Sequence, residues 1–141
     1  MPTPNTAPTA SAQPILNRLT PVLVVDSVEL STSFWVSRFG FELTNQVPGP
    51  DGKLVFASVS RGAVEIMYQT RASVIADGAT TAQELAGHSV TLFIEVASID
   101  AVEKALSGAP IVKPRHDTFY GSTEIYVKEP GGNTVGFAQM G

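Results

Sequence analysis

The chain has 141 residues, carries nine Lys and Arg against thirteen Asp and Glu for a formal net charge of −4, and contains no cysteine. That length suits one domain, or two small halves sharing a core, and buries roughly two-thirds of the unfolded surface. Without cysteine there are no disulfides, thiolate metal sites or Cys nucleophile; without a Lys/Arg cluster a nucleic-acid or anionic-membrane partner is disfavoured; and no apolar run reaches the roughly 18 to 20 residues that span a bilayer.

Residues 1–17 hold four of the ten prolines among Thr, Ala, Ser and Asn. Such a composition buries too little surface to offset its ordering entropy, so a flexible tail is expected. It lacks the basic start and apolar centre of a signal peptide, which favours a cytoplasmic protein.

A first module is expected over residues 18–69. Thr20 to Val25 reads as a strand, Asp26 or Ser27 as a helix cap, and Val28, Phe34, Trp35 and Phe39 as one helical face, with Leu30 spaced i, i+4 from Phe34. Gly40 sits where a helix end needs a left-handed residue. Strands over Phe41–Val47, Lys53–Val59 and Ala63–Gln69 follow, separated by Pro48-Gly49-Pro50-Asp51-Gly52 and Arg61-Gly62 turns. Residues 70–88 read as a linker with a short helix.

Residues 89–141 repeat the pattern. Val90–Val96 is a strand, Ser98 a cap, and Ile99, Val102 and Leu106 one helical face; strands near Ile111–Arg115, Ser122–Lys128 and Thr134–Gln139 complete the module. A constant offset of 71 positions relates Val25 to Val96, Ser27 to Ser98, Val28 to Ile99 and Val64 to Val135. An offset held across strand, cap, helix and last strand indicates internal duplication. The fold class is therefore α+β, two paired βαβββ modules forming a curved mixed-sheet cup with helices outside.

Alternation along the strands sorts side chains between the helix-packed face and the cup. Leu92, Ile94 and Val96, then Ile125 and Val127, then Val135 and Phe137 belong to the core. Thr91, Phe93 and Glu95, then Glu124, Tyr126 and Lys128, then Thr134, Gly136 and Ala138 face the cup. In the first module the cup set reads as Thr20, Val22, Val24, Val55, Ala57, Glu65, Met67 and Gln69.

Val25-Asp26-Ser27-Val28-Glu29, Ser33-Phe34-Trp35, Phe39-Gly40-Phe41, Phe119-Tyr120-Gly121 with Glu124, and Glu129-Pro130-Gly131-Gly132-Asn133 together resemble the glyoxalase, bleomycin-resistance and extradiol-dioxygenase (vicinal oxygen chelate) superfamily. The resemblance covers about residues 19 to 140. It implies a homodimer, and it leaves open whether modules pair within one chain or across two. It also implies metal-ligand positions at Thr20, Glu65, Thr91 and Gly136, of which only Glu65 carries a usual ligand. Threonine hydroxyls replace imidazole poorly, so no metal and no cofactor are expected.

The candidate ligand-binding set is Glu65, Met67, Phe93, Glu95, Glu124, Tyr126, Tyr120 and His116. Glu65 in an apolar strand suits cation binding or base chemistry, with a structural hydrogen bond as the alternative. Tyr126, Phe93 and Met67 offer aromatic and apolar walls, and His116 a place at the cavity mouth. The leading functional expectation is metal-independent binding of a cationic or aromatic small molecule, in the manner of an antibiotic-resistance protein. The alternatives are a glyoxalase-, dioxygenase- or isomerase-like enzyme, with an unusual metal site or with acid-base work by Glu65 and Tyr126, and a partner-binding module without a ligand.

Overall fold

The computed structural model describes residues 13–78 and 80–141. Most of the expected tail, residues 1–12, lies outside the described residues; residues 13–17 are exposed and without regular structure. Twelve elements follow in the order β1 (Val22–Val25), α1 (Val28–Phe39), β2 (Glu42–Pro48), β3 (Leu54–Arg61), β4 (Val64–Thr70), α2 (Arg71–Ala76), α3 (Ala82–Leu85), β5 (Thr91–Glu95), α4 (Ile99–Ala105), β6 (Ile111–Asp117), β7 (Ser122–Lys128) and β8 (Thr134–Met140). The linker thus holds two short helices. Among the described residues no helix is long and apolar enough to cross a membrane.

The strands form two four-stranded mixed sheets, β1-β4-β3-β2 and β5-β8-β7-β6. In each, the first strand of the module runs parallel to the last, and the remaining pairs are antiparallel. The duplication is visible at the helix caps. Ser27 and Ser98 take the same extended backbone, and each accepts a hydrogen bond from the amide three residues on, Leu30 and Ala101. A side-chain oxygen there satisfies one of the orphan donors of the first helical turn. Gly40 closes α1 at φ 67°, a left-handed geometry that costs a side-chain-bearing residue energy. Leu30 departs from the expected helical face, being 60% exposed, while Ser31 and Thr32 are buried. Thr32 fits because its hydroxyl donates to the Val28 carbonyl at 2.9 Å.

Each long helix covers one face of its own sheet, and within the chain these helix-bearing faces meet. One buried cluster joins Leu23, Val25, Trp35, Ile66 and Tyr68 of the first module to Ile99, Val102, Ile125, Val127, Val135 and Phe137 of the second. Trp35 and Phe39 of α1 lie 6.4 Å and 5.1 Å from the Phe137 ring of β8. Arg38 donates to the carbonyls of Ala105 and Ser107 at the end of α4. Each aromatic side chain placed there contributes about 1.5–3 kcal/mol of burial.

A polar lock crosses the same seam. Trp35 Nε1 donates to Tyr68 Oη at 2.9 Å, and Tyr68 donates to Glu129 Oε2 at 3.4 Å. Glu129, 2% exposed, also accepts from the amides of Gly131 and Asn133 and from Asn133 Nδ2. Burial and the neighbouring Glu129 carboxylate push the Tyr68 phenol up, against the Trp35 hydrogen bond. Gly131 is needed for closeness: a Cβ there would stand 2.8 Å from Ser31 Oγ and from Glu129 Oε1. The Glu129-Pro130-Gly131-Gly132-Asn133 turn is therefore the clasp between modules.

With the helical faces turned towards each other, the two opposite sheet faces are left open. Phe93 is 52% exposed and Val22 46%. β1 and β5 each have a single sheet neighbour.

Candidate functional site

Directly paired strand residues share a face, so register defines the two open surfaces. On the second sheet, Phe93 pairs with Gly136, Gly136 with Tyr126, and Tyr126 with Lys113; one row over, Glu95 pairs with Ala138, Ala138 with Glu124, and Glu124 with His116. On the first, Val22 pairs with Met67 and Met67 with Ser58, and Glu65 pairs with Ser60.

Glu124 is the centre of the second surface. It is 1% exposed, yet it sits in a strand face that opens onto a cleft of about 550 Å³ lined by Val112, Lys113, His116, Tyr120 and Tyr126, among others. A buried carboxylate must be hydrogen-bonded to remain charged, and this one has three hydroxyl donors. Tyr120 and Ser122 each donate to Oε2 at 2.7 Å, and Tyr126 donates to Oε1 at 3.1 Å. Burial pushes the Glu124 carboxyl up, but the donors Tyr120, Ser122 and Tyr126, with His116 nearby, outweigh it and hold the group below its ordinary value. The charge in turn raises both phenols: Tyr120 chiefly through its hydrogen bond to Glu124, Tyr126 chiefly through burial and then the same bond. Both therefore stay protonated.

The direction of these bonds fixes what the cleft offers. Each phenol spends its proton on Glu124, so its oxygen is left as an acceptor, backed by a full negative charge. The His116 ring stacks on Tyr126 at 6.3 Å between centroids. Its Nδ1 lies 2.8 Å from the Pro114 carbonyl, which places the proton on that nitrogen. The local sequence builds this cluster simply. Ser122, Glu124 and Tyr126 alternate along β7, and the Thr118–Gly121 turn, closed by the Thr118 amide on the Ser122 carbonyl at 2.9 Å, folds Tyr120 back over the strand.

Glu124, Tyr126, Tyr120 and His116 thus come together. Phe93 and Glu95 share their sheet face, Glu95 at the far end of β5, where it borders a groove between the modules. Glu65 and Met67 belong to the other sheet, and no hydrogen bond, ion pair or ring contact among the described residues connects them with the Glu124 cluster. Glu65, 18% exposed at its side chain, is bound by Arg18 Nη1 at 2.8 Å and by Thr20 Oγ1 at 3.4 Å. Glu65 and Tyr126, the acid-base pair that the sequence suggests, therefore lie on different sheets of one chain.

The first module's cup face also needs a correction. Val55 and Ala57 are not on it: Ala57 is fully buried and pairs with Tyr68, while Phe56, Ser58 and Ser60 pair with Gln69, Met67 and Glu65. Ser58 and Ser60 mark the parity that Leu54 and Phe56 obscure, and the register with β4 decides it.

The four positions that family resemblance assigns to metal ligands do not suit a divalent ion. Thr20 and Thr91 offer only hydroxyls, and Glu65 is already committed to a guanidinium. Gly136 has no side chain, and the Tyr126 ring occupies the space where one would begin: a Cβ there would fall 2.8 Å from Cζ and 2.9 Å from Cδ2. No group of three or more His, Asp or Glu capable of holding a metal occurs among the described residues. His88 lies exposed in the segment before β5.

Two contributors escaped the sequence reading. Ser122 carries the same-face spacing to Glu124 that flagged Tyr126, so its signal was present. Arg18 had none, because its contact with Glu65 spans 47 positions.

Comparison with known proteins agrees with this architecture. Residues 15–137 match the model of the Glyoxalase/Bleomycin resistance protein/Dioxygenase superfamily. Over 118 residues the chain is 32% identical to the uncharacterized protein Mb0911c of Mycobacterium bovis, covering 82% of this chain and 78% of that one. Among solved structures it is similar to TioX from Micromonospora sp. ML1, at TM-score 0.71 and 18% identity, covering 87% of this chain and 98% of TioX. It is also similar to a glyoxalase/bleomycin resistance protein/dioxygenase from Nocardioides, at TM-score 0.72, 20% identity and 92% and 87% coverage. A lactoylglutathione lyase from Agrobacterium tumefaciens gives TM-score 0.66 at 16% identity, over 89% and 95% of the two chains. The chain belongs to the glyoxalase/bleomycin resistance protein/dioxygenase superfamily.

Proposed function

We propose that this protein binds a small organic cation, or an aromatic compound bearing N–H donors, without using a metal, in a cup centred on Glu124. The observation that carries this reading is the buried Glu124 carboxylate ringed by the hydroxyls of Tyr120, Ser122 and Tyr126. Two phenol oxygens facing the cleft as acceptors favour a donor-bearing ligand, while Tyr126 and His116 supply aromatic surface on which a cation or a flat ring rests.

A second copy of the chain completes the cup. The open face of one molecule's second sheet, with Phe93, meets the open face of another's first sheet, with Val22 and Met67, and the free edges of β1 and β5 come together. Exposed apolar side chains on both faces support this arrangement, since monomers seldom leave such residues contiguous and bare. A homodimer then holds two equivalent cups, in a protein for which we infer a cytoplasmic location.

Calorimetric titration with a panel of cationic aromatic compounds tests the reading. Saturable binding to the wild type, weakened roughly tenfold or more in Glu124→Gln, is the expected result. Absence of saturable binding across the panel, or identical affinity in the variant, contradicts it.

A further inference from the structure

Away from the Glu124 cleft, a groove of about 610 Å³ runs between the modules on their helical side. That volume lies within the roughly 300–1,000 Å³ of small-molecule sites. Its walls are apolar, formed by Phe39, Phe41, Val64, Ile94, Val96 and Phe137, with Trp35 at the floor. Its rim carries two cations, Arg38 and Arg61.

The lack of a carboxylate partner for those cations is what distinguishes the groove. The described residues include five arginines, and three are ion-paired: Arg18 with Glu65, Arg71 with Asp26, and Arg115 with Asp100 and Glu103. Arg38 and Arg61 have no carboxylate partner among the described residues, and both border this groove. Arg38 spends Nη1 on the carbonyls of Ala105 and Ser107, and Arg61 spends Nη1 on the Phe39 carbonyl. A guanidinium has five N–H donors, so each retains donors for an incoming acceptor. The carbonyl contacts also hold both side chains in place, which lowers the entropy lost on binding an anion. Glu95 is the single acidic residue lining the groove.

We propose that this groove is a second ligand site, which takes a small amphipathic carboxylate: an aliphatic or aromatic body against the apolar walls, and a carboxylate between Arg38 and Arg61. The site is chemically opposite to the Glu124 cup, which selects donors and cations, and it stands or falls independently of it.

Trp35 is the only tryptophan of the chain, so its fluorescence reports on the floor of the groove. Titration of the full-length protein with an ω-bromodecanoate should quench Trp35 saturably, and calorimetry with decanoate should give the same affinity. Arg61→Gln should weaken both by roughly tenfold to a hundredfold. Ala101→Phe, at an exposed helical position lining the groove, should obstruct binding while both arginines remain in the sequence. Decyltrimethylammonium, with the same tail and the opposite charge, should bind at least tenfold more weakly than decanoate. Unsaturable quenching, equal affinity for the two head groups, or wild-type decanoate affinity in both variants would overturn the proposal.

Discussion

Gly136→Ala is the substitution that separates the site from the fold. The backbone of Gly136 has no positive φ, so alanine is acceptable to the chain itself; the conflict is with Tyr126, whose Cζ and Cδ2 would lie 2.8 Å and 2.9 Å from the new Cβ. Such contacts force the ring to move. Overpacking of this kind costs about 1–3 kcal/mol, and the low end applies because Tyr126 is only part-buried and can swing towards the cleft. That movement breaks the 3.1 Å hydrogen bond to Glu124, a bond to a charged group worth about 1.5–3 kcal/mol when fully formed. Part of this returns as the freed groups meet water. A net loss of about 1–2 kcal/mol follows, or roughly 3–8 °C in Tm for a domain of this size. The assay is thermal and urea denaturation of Gly136→Ala, Tyr126→Ala and the double variant. Since the clash needs both partners, the alanine at 136 should be nearly neutral in the Tyr126→Ala background, a coupling of about 1 kcal/mol or more. Additive losses, or a Gly136→Ala protein as stable as the wild type, would refute the reasoning.

Glu129→Ala strips four hydrogen bonds from one buried group and should cost about 2–4 kcal/mol in urea denaturation; a loss below about 0.5 kcal/mol would show that the turn does not hold the modules together. Glu124, depressed in the folded state, contributes stability that is fully present above its ordinary value of 4.5 and is lost as pH falls through the lower folded value. The difference in stability between wild type and Glu124→Gln should therefore shrink as pH drops below that value, and a pH-independent difference would contradict the assignment. Protein purified without chelators should contain Zn, Ni, Mn and Fe at well below one equivalent by elemental analysis; a stoichiometric metal would contradict metal-free binding.

The modules, caps and helix ends were legible in the sequence because they rest on local chemistry. Ser27 and Ser98 announce themselves by type and position, Gly40 by the conformation a helix terminus requires, and the duplication by its constant offset. The cup face of β7 was equally legible, since Glu124 and Tyr126 alternate with apolar Ile125 and Val127. In β3 Ser58 and Ser60 alternate with Ala57 and Val59, so a parity signal is present, and pairing with β4 sets Ser58, itself fully buried, on the Met67 side of the sheet and Ala57 on the Tyr68 side. Leu30 illustrates a related limit: an i, i+4 spacing with Phe34 locates neighbours on a helix, but the width of the buried stripe depends on the packing partner. The relative placement of the modules was the least legible feature. Trp35 and Phe137 are apolar in either arrangement, and their contact across the seam is a property of the tertiary structure. Glu65 stands out in the sequence as a carboxylate in an apolar strand, but its ion pair with Arg18 depends on a segment whose composition carries no such signal.

Each cup is proposed to join the first module of one copy to the second module of another. Subunit complementation tests it most directly. Met67→Arg obstructs the first-module face and Glu124→Gln weakens the second-module cluster, so each variant alone should bind the cationic ligand identified by titration at least roughly tenfold more weakly than the wild type. Unfolding and reassembling the two together in equal amounts should restore about a quarter of the wild-type sites, because half of randomly assembled two-fold dimers are mixed and each mixed dimer has one intact cup. A mixture that binds no better than either variant alone would contradict the shared cup.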